Sequence, residues 1–151
     1  MSGGYVRPHP DGVEIRLDEE LAAFLVQFPF GLDGVRRGAD DPAARRLNVP
    51  VYLDDRDADQ EWWGFMGEEL DQGRAADRSA FGEVMAASVA GTVMSAEEAR
   101  AVLRVLVESR LVYAARLGID VEEDYERLGP SDASVLDALA ELQMALISAL
   151  E

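Results

Sequence analysis

The segment from Ser95 to Leu117 constrains the fold most, because its pattern indicates a helix that is apolar on nearly every side. Ser95 and Glu98 form a capping box, in which each side chain accepts a hydrogen bond from the other residue's backbone N–H. Gly118 follows as a C-cap. The narrow polar stripe consists of Glu97, Arg100, Arg104 and Glu108. Such a helix needs cover on most sides, so we expect it at the centre of a helical bundle.

A short β-hairpin is predicted ahead of the helices. Val13, Ile15 and Leu17 alternate with polar residues, which is the period of a half-buried strand. Tyr5 to Pro8 is the expected partner strand. Pro10-Asp11-Gly12 between them indicates a tight turn, since glycine adopts the positive φ that such turns need. The predicted fold class is therefore mainly α: a helical bundle with a small N-terminal β-hairpin, in a single domain over residues 1–151.

Two short helices should follow the hairpin. Asp18 is an N-cap for a helix that places Leu21, Phe24, Leu25 and Phe28 on one face, until Pro29 interrupts or ends it. Asp41-Pro42 opens a second helix through Leu47. Because Pro50 stops a helix, we expect residues 49–53 to pack as an extended segment.

Two long helices complete the bundle. An apolar pattern at helical spacing runs from about Ala58 to Ala90, and Gly73 near its middle predicts a bend or break. Its members are Trp62, Phe65, Met66, Leu70, Phe81, Val84, Met85 and Val89. The last helix opens at Pro130 and buries Val135, Leu139, Leu142, Leu146 and Leu150.

The charge balance disfavours nucleic acid as a partner. The chain carries 14 basic and 30 acidic residues, a formal net charge of −16, and every basic residue is arginine. DNA affinity comes largely from neutralising phosphates, and an acidic protein repels that polyanion. We therefore expect no direct DNA binding without a partner.

The composition also bears on location and redox chemistry. The chain has no cysteine, which excludes disulfides, thiolate nucleophiles and cysteine-ligated zinc. We see neither a leader pattern nor an apolar run near 18 residues. The expectation is a soluble cytoplasmic protein without a membrane span.

Acidic clusters are the nearest approach to a chemical site. Asp55, Asp57 and Asp59, within the acidic run from Asp54 to Asp59, have the spacing of a calcium loop. Gln60 and Met66 replace the glycine and the bidentate glutamate of that loop, so we favour a solvated helix start. Residues 122–124, another acidic cluster, are expected in a polar connector.

Nothing in the sequence assembles a catalytic site. His9 is the only histidine and lies in the predicted turn between two prolines. No phosphate loop, dinucleotide motif or zinc-protease motif is present. We therefore expect a protein that is not an enzyme, with no catalytic residues, no metal ligands and no cofactor.

Arginines and tryptophans are the candidate partner-binding residues. The doublets Arg36-Arg37 and Arg45-Arg46 either contact an acidic partner or neutralise Asp40, Asp41 and the acidic run, and we favour neutralisation. On the apolar helix, Arg110 and Arg116 should each pair with a carboxylate, and Asp120 and Glu122 are the nearest ones.

Trp62 and Trp63 are adjacent, so their side chains point about 100° apart on a helix. We expect one to pack inside and the other to lie at an edge or an interface, where an aromatic side chain commonly anchors a partner. A wide core or a neighbouring loop that covers both is the alternative.

Several segments together resemble a known family. They are "DDPAARRLNVPVYLDDRDADQEW", "LRVLVESRLVYAARLGI", "LDALAELQMALISAL" and the hairpin-to-helix junction "VEIRLDEEL". In this order they resemble an actinobacterial family that is encoded beside the ClpS adaptor and includes the AosR oxidative-stress regulators.

The resemblance implies a transcription regulator of the stress response that contacts a protein such as a sigma factor. Some family members sense oxidation through a cysteine pair, which this chain lacks. The alternative is a homo-oligomeric structural or adaptor module, such as a homodimer, linked to ClpS-dependent proteolysis. No functional residue is carried over from the family.

Overall fold

The computed structural model describes residues 4–37 and 39–151, and 67% of these described residues are helical. The mainly α fold class is confirmed. In chain order the strands and helices are β1 (Tyr5–His9), β2 (Gly12–Arg16), α1 (Glu19–Leu25), α2 (Phe28–Asp33), α3 (Pro42–Leu47), α4 (Arg56–Ser88), β3 (Thr92–Met94), α5 (Ala96–Arg116), α6 (Glu122–Glu126) and α7 (Pro130–Leu150).

The predicted hairpin forms and gains a third strand. β1 pairs antiparallel with β2, with Val6 opposite Ile15, and β2 pairs antiparallel with β3, with Val13 opposite Met94. β3 was not predicted, because three residues are too short to show a period of two. Gly12 makes the sheet possible, since a Cβ there would collide with the carbonyl oxygen of Met94.

Helix α5 lies at the centre of the molecule, as its apolar pattern predicts. It packs against α3, α4 and α7, and its buried side chains include Val102, Val105 and Leu106. The predicted capping box is confirmed, since Glu98 N–H donates to the hydroxyl of Ser95 at 3.0 Å and Ser95 N–H donates to the Glu98 carboxylate at 3.0 Å.

Helix α4 contradicts the break predicted at Gly73. It runs without interruption over 33 residues, about 50 Å at the usual rise per residue. A Cβ at Gly73 would meet nothing, so this glycine serves no close contact. A single glycine costs a helix about 1 kcal/mol, which tertiary contacts on either side readily offset.

The first helix is interrupted near Pro29, but the chain resumes a helix at once. α1 ends at Leu25, and α2 begins at Phe28 with Pro29 in its first turn, where proline has no N–H bond to lose. Phe24 is more exposed than its place on the predicted inner face suggests, whereas Leu25 is buried.

The segment from Val49 to Leu53 also differs from its prediction. It is irregular and exposed, with Leu53 81% exposed, and does not pack as an extended segment. Its backbone is bound to α4 instead: the N–H groups of Val51 and Tyr52 donate to the Asp59 carboxylate at 2.6 and 3.1 Å.

Helix α7 covers one side of α5 and the hairpin. Leu136, Leu139, Leu142 and Leu146 are buried, whereas the predicted Val135 and Leu150 are only partly buried. By length and composition alone α7 is apolar enough to cross a membrane, a test that core helices of soluble proteins and signal sequences also pass, and 22% of its most apolar stretch is buried.

Candidate functional site

The tryptophan pair lies on the part of α4 that extends past the core. We call residues 56–66 the α4 arm; between Arg56 and Ala80 only Gly67 is buried. Trp62 and Trp63 are both half-buried, and their rings meet edge to face with centroids 5.0 Å apart. The prediction of one buried and one outer tryptophan is therefore wrong, because the two rings pack on each other.

Phe65 is the most exposed aromatic side chain among the described residues, at 85%. The sequence pattern placed it in the inner apolar series, which the structure contradicts. Eighteen residues are five helical turns, so Phe65 lies on the face that Glu83 occupies further along, and Glu83 is exposed. By the same spacing Trp63 lies on the face of the buried Phe81.

The α4 arm and the loop before it carry apolar side chains that are exposed or half-buried. We call this set the aromatic surface; it consists of Tyr52, Leu53, Trp62, Trp63 and Phe65. Phe65 lies one turn from Trp62, whereas Trp63 points to the opposite side of the helix. The loop and the arm are joined by the hydrogen bonds from the loop backbone to Asp59. Acidic residues are frequent along the same segment, namely Asp54, Asp55, Asp57, Glu61, Glu68 and Glu69.

The acidic run serves the helix rather than a calcium loop. Asp55 is the N-cap of α4 and accepts from the N–H of Ala58 at 3.0 Å. Asp59 accepts from the loop backbone, and Asp57 lies exposed in the first turn, where the helix dipole favours negative charge. Within residues 4–37 and 39–151, no three acidic or histidine side chains are grouped to hold a metal ion.

Arg37 connects the aromatic surface to the body of the protein. Its guanidinium lies over the Trp63 ring, 4.8 Å from the centroid. It also donates to Asp71 at 2.5 Å and to the Gly67 carbonyl at 3.3 Å. Gly67 leaves room for it, since a Cβ there would lie 2.5 Å from an Arg37 nitrogen.

The other doublet arginines have separate partners. Arg45 pairs with Asp40 at 3.3 Å, as local neutralisation predicts. Arg46 instead reaches Asp120, 74 residues away, and the carbonyl of Ile119. Arg36 is exposed, and its side chain makes no hydrogen bond or ion pair within the described part of the chain, while its carbonyl accepts from the N–H of Ala39 at 3.2 Å.

Arg116 pairs with a carboxylate of another segment, as predicted, although not with Asp120 or Glu122, whereas the carboxylate expected for Arg110 is wrong. Arg110 donates to the side-chain amide of Gln143 at 2.9 Å rather than to a carboxylate. Arg116 pairs with Asp41 at 3.1 Å, and Asp120 is taken by Arg46. Pairs between segments so far apart in sequence depend on the tertiary fold, which sequence neighbours do not indicate.

A charged cluster between α4 and α5 was not predicted. Arg104 binds Asp77 through two hydrogen bonds of 2.8 and 2.9 Å. Arg74 contacts Glu108 at 3.1 Å and also donates to Asn48 and to the Leu47 carbonyl. The polar stripe of α5 could have indicated this cluster, because charged side chains on a mostly buried helix require opposite charges on the helix that packs against them.

Glu108 is the most perturbed acid in this cluster. Only 13% of its side chain is exposed, and its Oε1 atom is buried without a hydrogen-bond partner among the described residues. Burial raises the pKa of this carboxyl above its ordinary value, although Arg74 and Arg78 lower it. Asp77, whose side chain is also mostly buried, raises that pKa further, so the two carboxylates and the arginines of this cluster act on one another.

Comparison with protein families matches residues 3–150 to the model of a domain of unknown function, DUF2017. The chain belongs to the DUF2017 family. Comparison with curated proteins and with solved structures gives no significant match.

In this DUF2017 domain the remaining candidate residues, His9 and residues 122–124, make hydrogen bonds that stabilise a turn and a short helix. His9 ends β1, and its Nδ1 accepts from the N–H of Asp11 at 3.1 Å within the turn. Residues 122–124 form the first turn of α6 rather than a loop. The Asp124 carboxylate accepts from the N–H groups of Asp120 and Val121, which lowers the pKa of Asp124.

The DUF2017 domain also has an aromatic-lined cavity of about 320 Å³ between α2 and α5. Phe24 and Phe28 meet edge to face at 5.3 Å, and Phe28 lies 6.2 Å from Tyr113. The hydroxyl of Tyr113 donates to Asp132, and Arg116 is paired with Asp41. The polar groups of this cavity are thus committed to the fold.

Proposed function

We propose that this protein is a non-enzymatic regulator that acts by binding another protein on the aromatic surface. The observation that carries the proposal is the exposure of Phe65, one helical turn from the half-buried Trp62, together with the exposed Leu53 in the loop before the helix. Exposed aromatic side chains in a contiguous apolar surface commonly mark a protein interface, and such residues supply most of its binding energy.

The acidic character of the α4 arm indicates the chemistry of the partner. Besides Asp59, six acidic residues lie between positions 54 and 69, and the whole chain carries a net charge of −16. Such a field accelerates the approach of a basic protein and disfavours an acidic one. The expected partner presents apolar side chains bordered by lysine or arginine.

The resemblance to the AosR-like regulators gives the proposal its biological setting. It supports a role in stress-responsive transcription through contact with a sigma factor in the cytoplasm. Oxidation of a cysteine pair is excluded as the signal, since the chain has no cysteine. Mild peroxide should therefore leave its oligomeric state unchanged.

The test is a titration of the full chain with purified stress sigma factors of its source organism, followed by tryptophan fluorescence and calorimetry. Phe65→Ala should weaken binding at least about tenfold without unfolding the protein. Phe30→Ala on α2, where the side chain is 75% exposed, is the matched control and should leave affinity unchanged. Equal affinity of both variants would contradict the proposed surface.

A homo-oligomeric module, the alternative linked to ClpS-dependent proteolysis, is favoured by a different surface. Val107 and Leu111 on α5 are exposed beside Ala140 on α7, and the exposed Met144 lies one turn further along. The lining of this groove includes one arginine, Arg110, and one aspartate, Asp137, so it carries no net charge and suits self-association of a strongly acidic chain. Sedimentation that shows a dimer disrupted by Met144→Ala would favour this alternative.

A further inference from the structure

A cavity of about 490 Å³ between the α2–α3 loop and α4 concentrates positive charge in this acidic protein. Four of the fourteen arginines line it: Arg36, Arg37, Arg74 and Arg78. Two carboxylates line it as well, those of Asp33 and Asp71. The lining therefore carries a formal net charge of +2 (four arginines minus two aspartates), and Glu108 lies behind Arg74.

The charges are arranged by depth. The side chain of Arg78 is 13% exposed and that of Arg37 is 30% exposed, whereas Asp33 and Asp71, their partners, are 61% and 59% exposed. The guanidinium groups thus lie inside and the carboxylates lie at the mouth. Ion pairs whose carboxylates face water contribute at most about 1 kcal/mol, so a stronger anion displaces them at small cost.

Several donors in the cavity have no acceptor. The Nε atom of Arg78 is buried and makes no hydrogen bond among the described residues, while its Nη1 donates to Asp33 at 2.7 Å. Arg36 makes no ion pair within the same residues. A buried donor without an acceptor is costly, and an arginine fork satisfies it best with the oxygens of a phosphate or carboxylate.

We propose that this cavity binds the phosphate group of a small molecule. A dianion matches the +2 charge of the lining, and arginine binds phosphate oxygens in pairs. The volume lies in the range of small-molecule sites. Val35, Leu47 and Ala75 give the remaining lining an aliphatic character, with no aromatic ring to stack on a nucleobase. This chemistry fits a sugar phosphate or free phosphate. The proposal is independent of the protein-binding role.

Calorimetry on the full chain with inorganic phosphate and with ribose 5-phosphate tests the proposal, with sodium chloride at equal ionic strength as the reference. Saturable binding and a concentration-dependent rise in melting temperature are expected with at least one of the two phosphates. Tighter binding of ribose 5-phosphate identifies a sugar phosphate as the ligand, and equal or tighter binding of inorganic phosphate identifies free phosphate. Equal effects of phosphate and chloride, or no binding, would overturn the proposal.

Three variants make the test specific. Arg36→Gln has no ion pair to lose, so it should fold normally and weaken phosphate binding by about tenfold, the value of one charge-assisted contact. Arg100→Gln removes an exposed arginine of α5 that pairs only with Glu97, and it should bind like the wild type. Asp71→Asn removes a competing carboxylate and should tighten binding. Unchanged affinity in Arg36→Gln, or weaker binding in Asp71→Asn, contradicts the site.

Discussion

The two halves of α4 have the same secondary structure and opposite environments. In the C-terminal half Phe81, Val84 and Met85 are buried against α5 and the neighbouring helices. In the α4 arm Trp62 and Trp63 are half-buried and Phe65 is almost fully exposed. The C-terminal half stabilises the fold, whereas the arm presents an aromatic side chain, Phe65, that the fold leaves exposed.

The difference shows that apolar spacing along a helix does not by itself locate a core. Phe65 and Phe81 lie on different faces of α4, because Phe65 is five helical turns from the exposed Glu83 and therefore shares its face. A helix about 50 Å long also exceeds the 21-residue α5, about 31 Å, that it packs against. The arm therefore extends past its partner.

The largest effect is expected from the buried half. Phe81 is fully buried, so Phe81→Ala should cost about 3–5 kcal/mol of unfolding free energy through lost contacts and a cavity. Urea denaturation followed by far-ultraviolet circular dichroism measures it. A loss under about 1 kcal/mol would mean that the site collapses freely and that the core is less tightly packed than described.

Trp63→Ala should have an intermediate effect. The variant loses the edge contact with Trp62 and the contact with the Arg37 guanidinium above the ring, but the Trp63 side chain is only half-buried. We expect a loss of about 1–3 kcal/mol, in the usual range for such changes. Trp62→Ala is the matched comparison, since it leaves the Arg37 contact in place and should cost less.

Much of the fold was predictable because its signals are local. The Pro-Asp-Gly turn, the Ser95 capping box and the Pro42 and Pro130 helix starts all depend on residues within one turn of each other. β3 and the pairs Arg46–Asp120 and Arg116–Asp41 depend on residues far apart in sequence. The candidate surface was half predicted: the tryptophans were identified, and Phe65 was missed.

The charged cluster behind the arm should show in the pH dependence of stability. Burial raises the pKa of Glu108 in the folded state above 4.5, so the folded protein binds its proton more tightly than the unfolded chain. The stabilisation that protonated Glu108 gives the folded state is greatest below pH 4.5, and it is lost as the pH rises through the pKa of the folded state. Relative to Glu108→Gln, the wild type should therefore lose stability over that window in urea titrations at several pH values, and a gain would contradict the assignment.

The smallest effect is expected at Phe65. Because its side chain is 85% exposed, Phe65→Ala should change the unfolding free energy by less than about 0.5 kcal/mol. Measured beside Phe81→Ala in the same buffer, it sharpens the contrast between two phenylalanines of one helix. A cost of several kcal/mol would mean that a second copy or another segment covers the arm.

Native-state hydrogen exchange resolved along α4 tests most directly the claim that one continuous helix serves two purposes. Amides around residues 81–88 should exchange only through global unfolding, since they lie under the core. Amides of residues 59–66 should exchange through local opening at a clearly lower free energy, and a bound protein partner should slow them selectively. Equal protection along the whole helix in the isolated monomer would contradict the account.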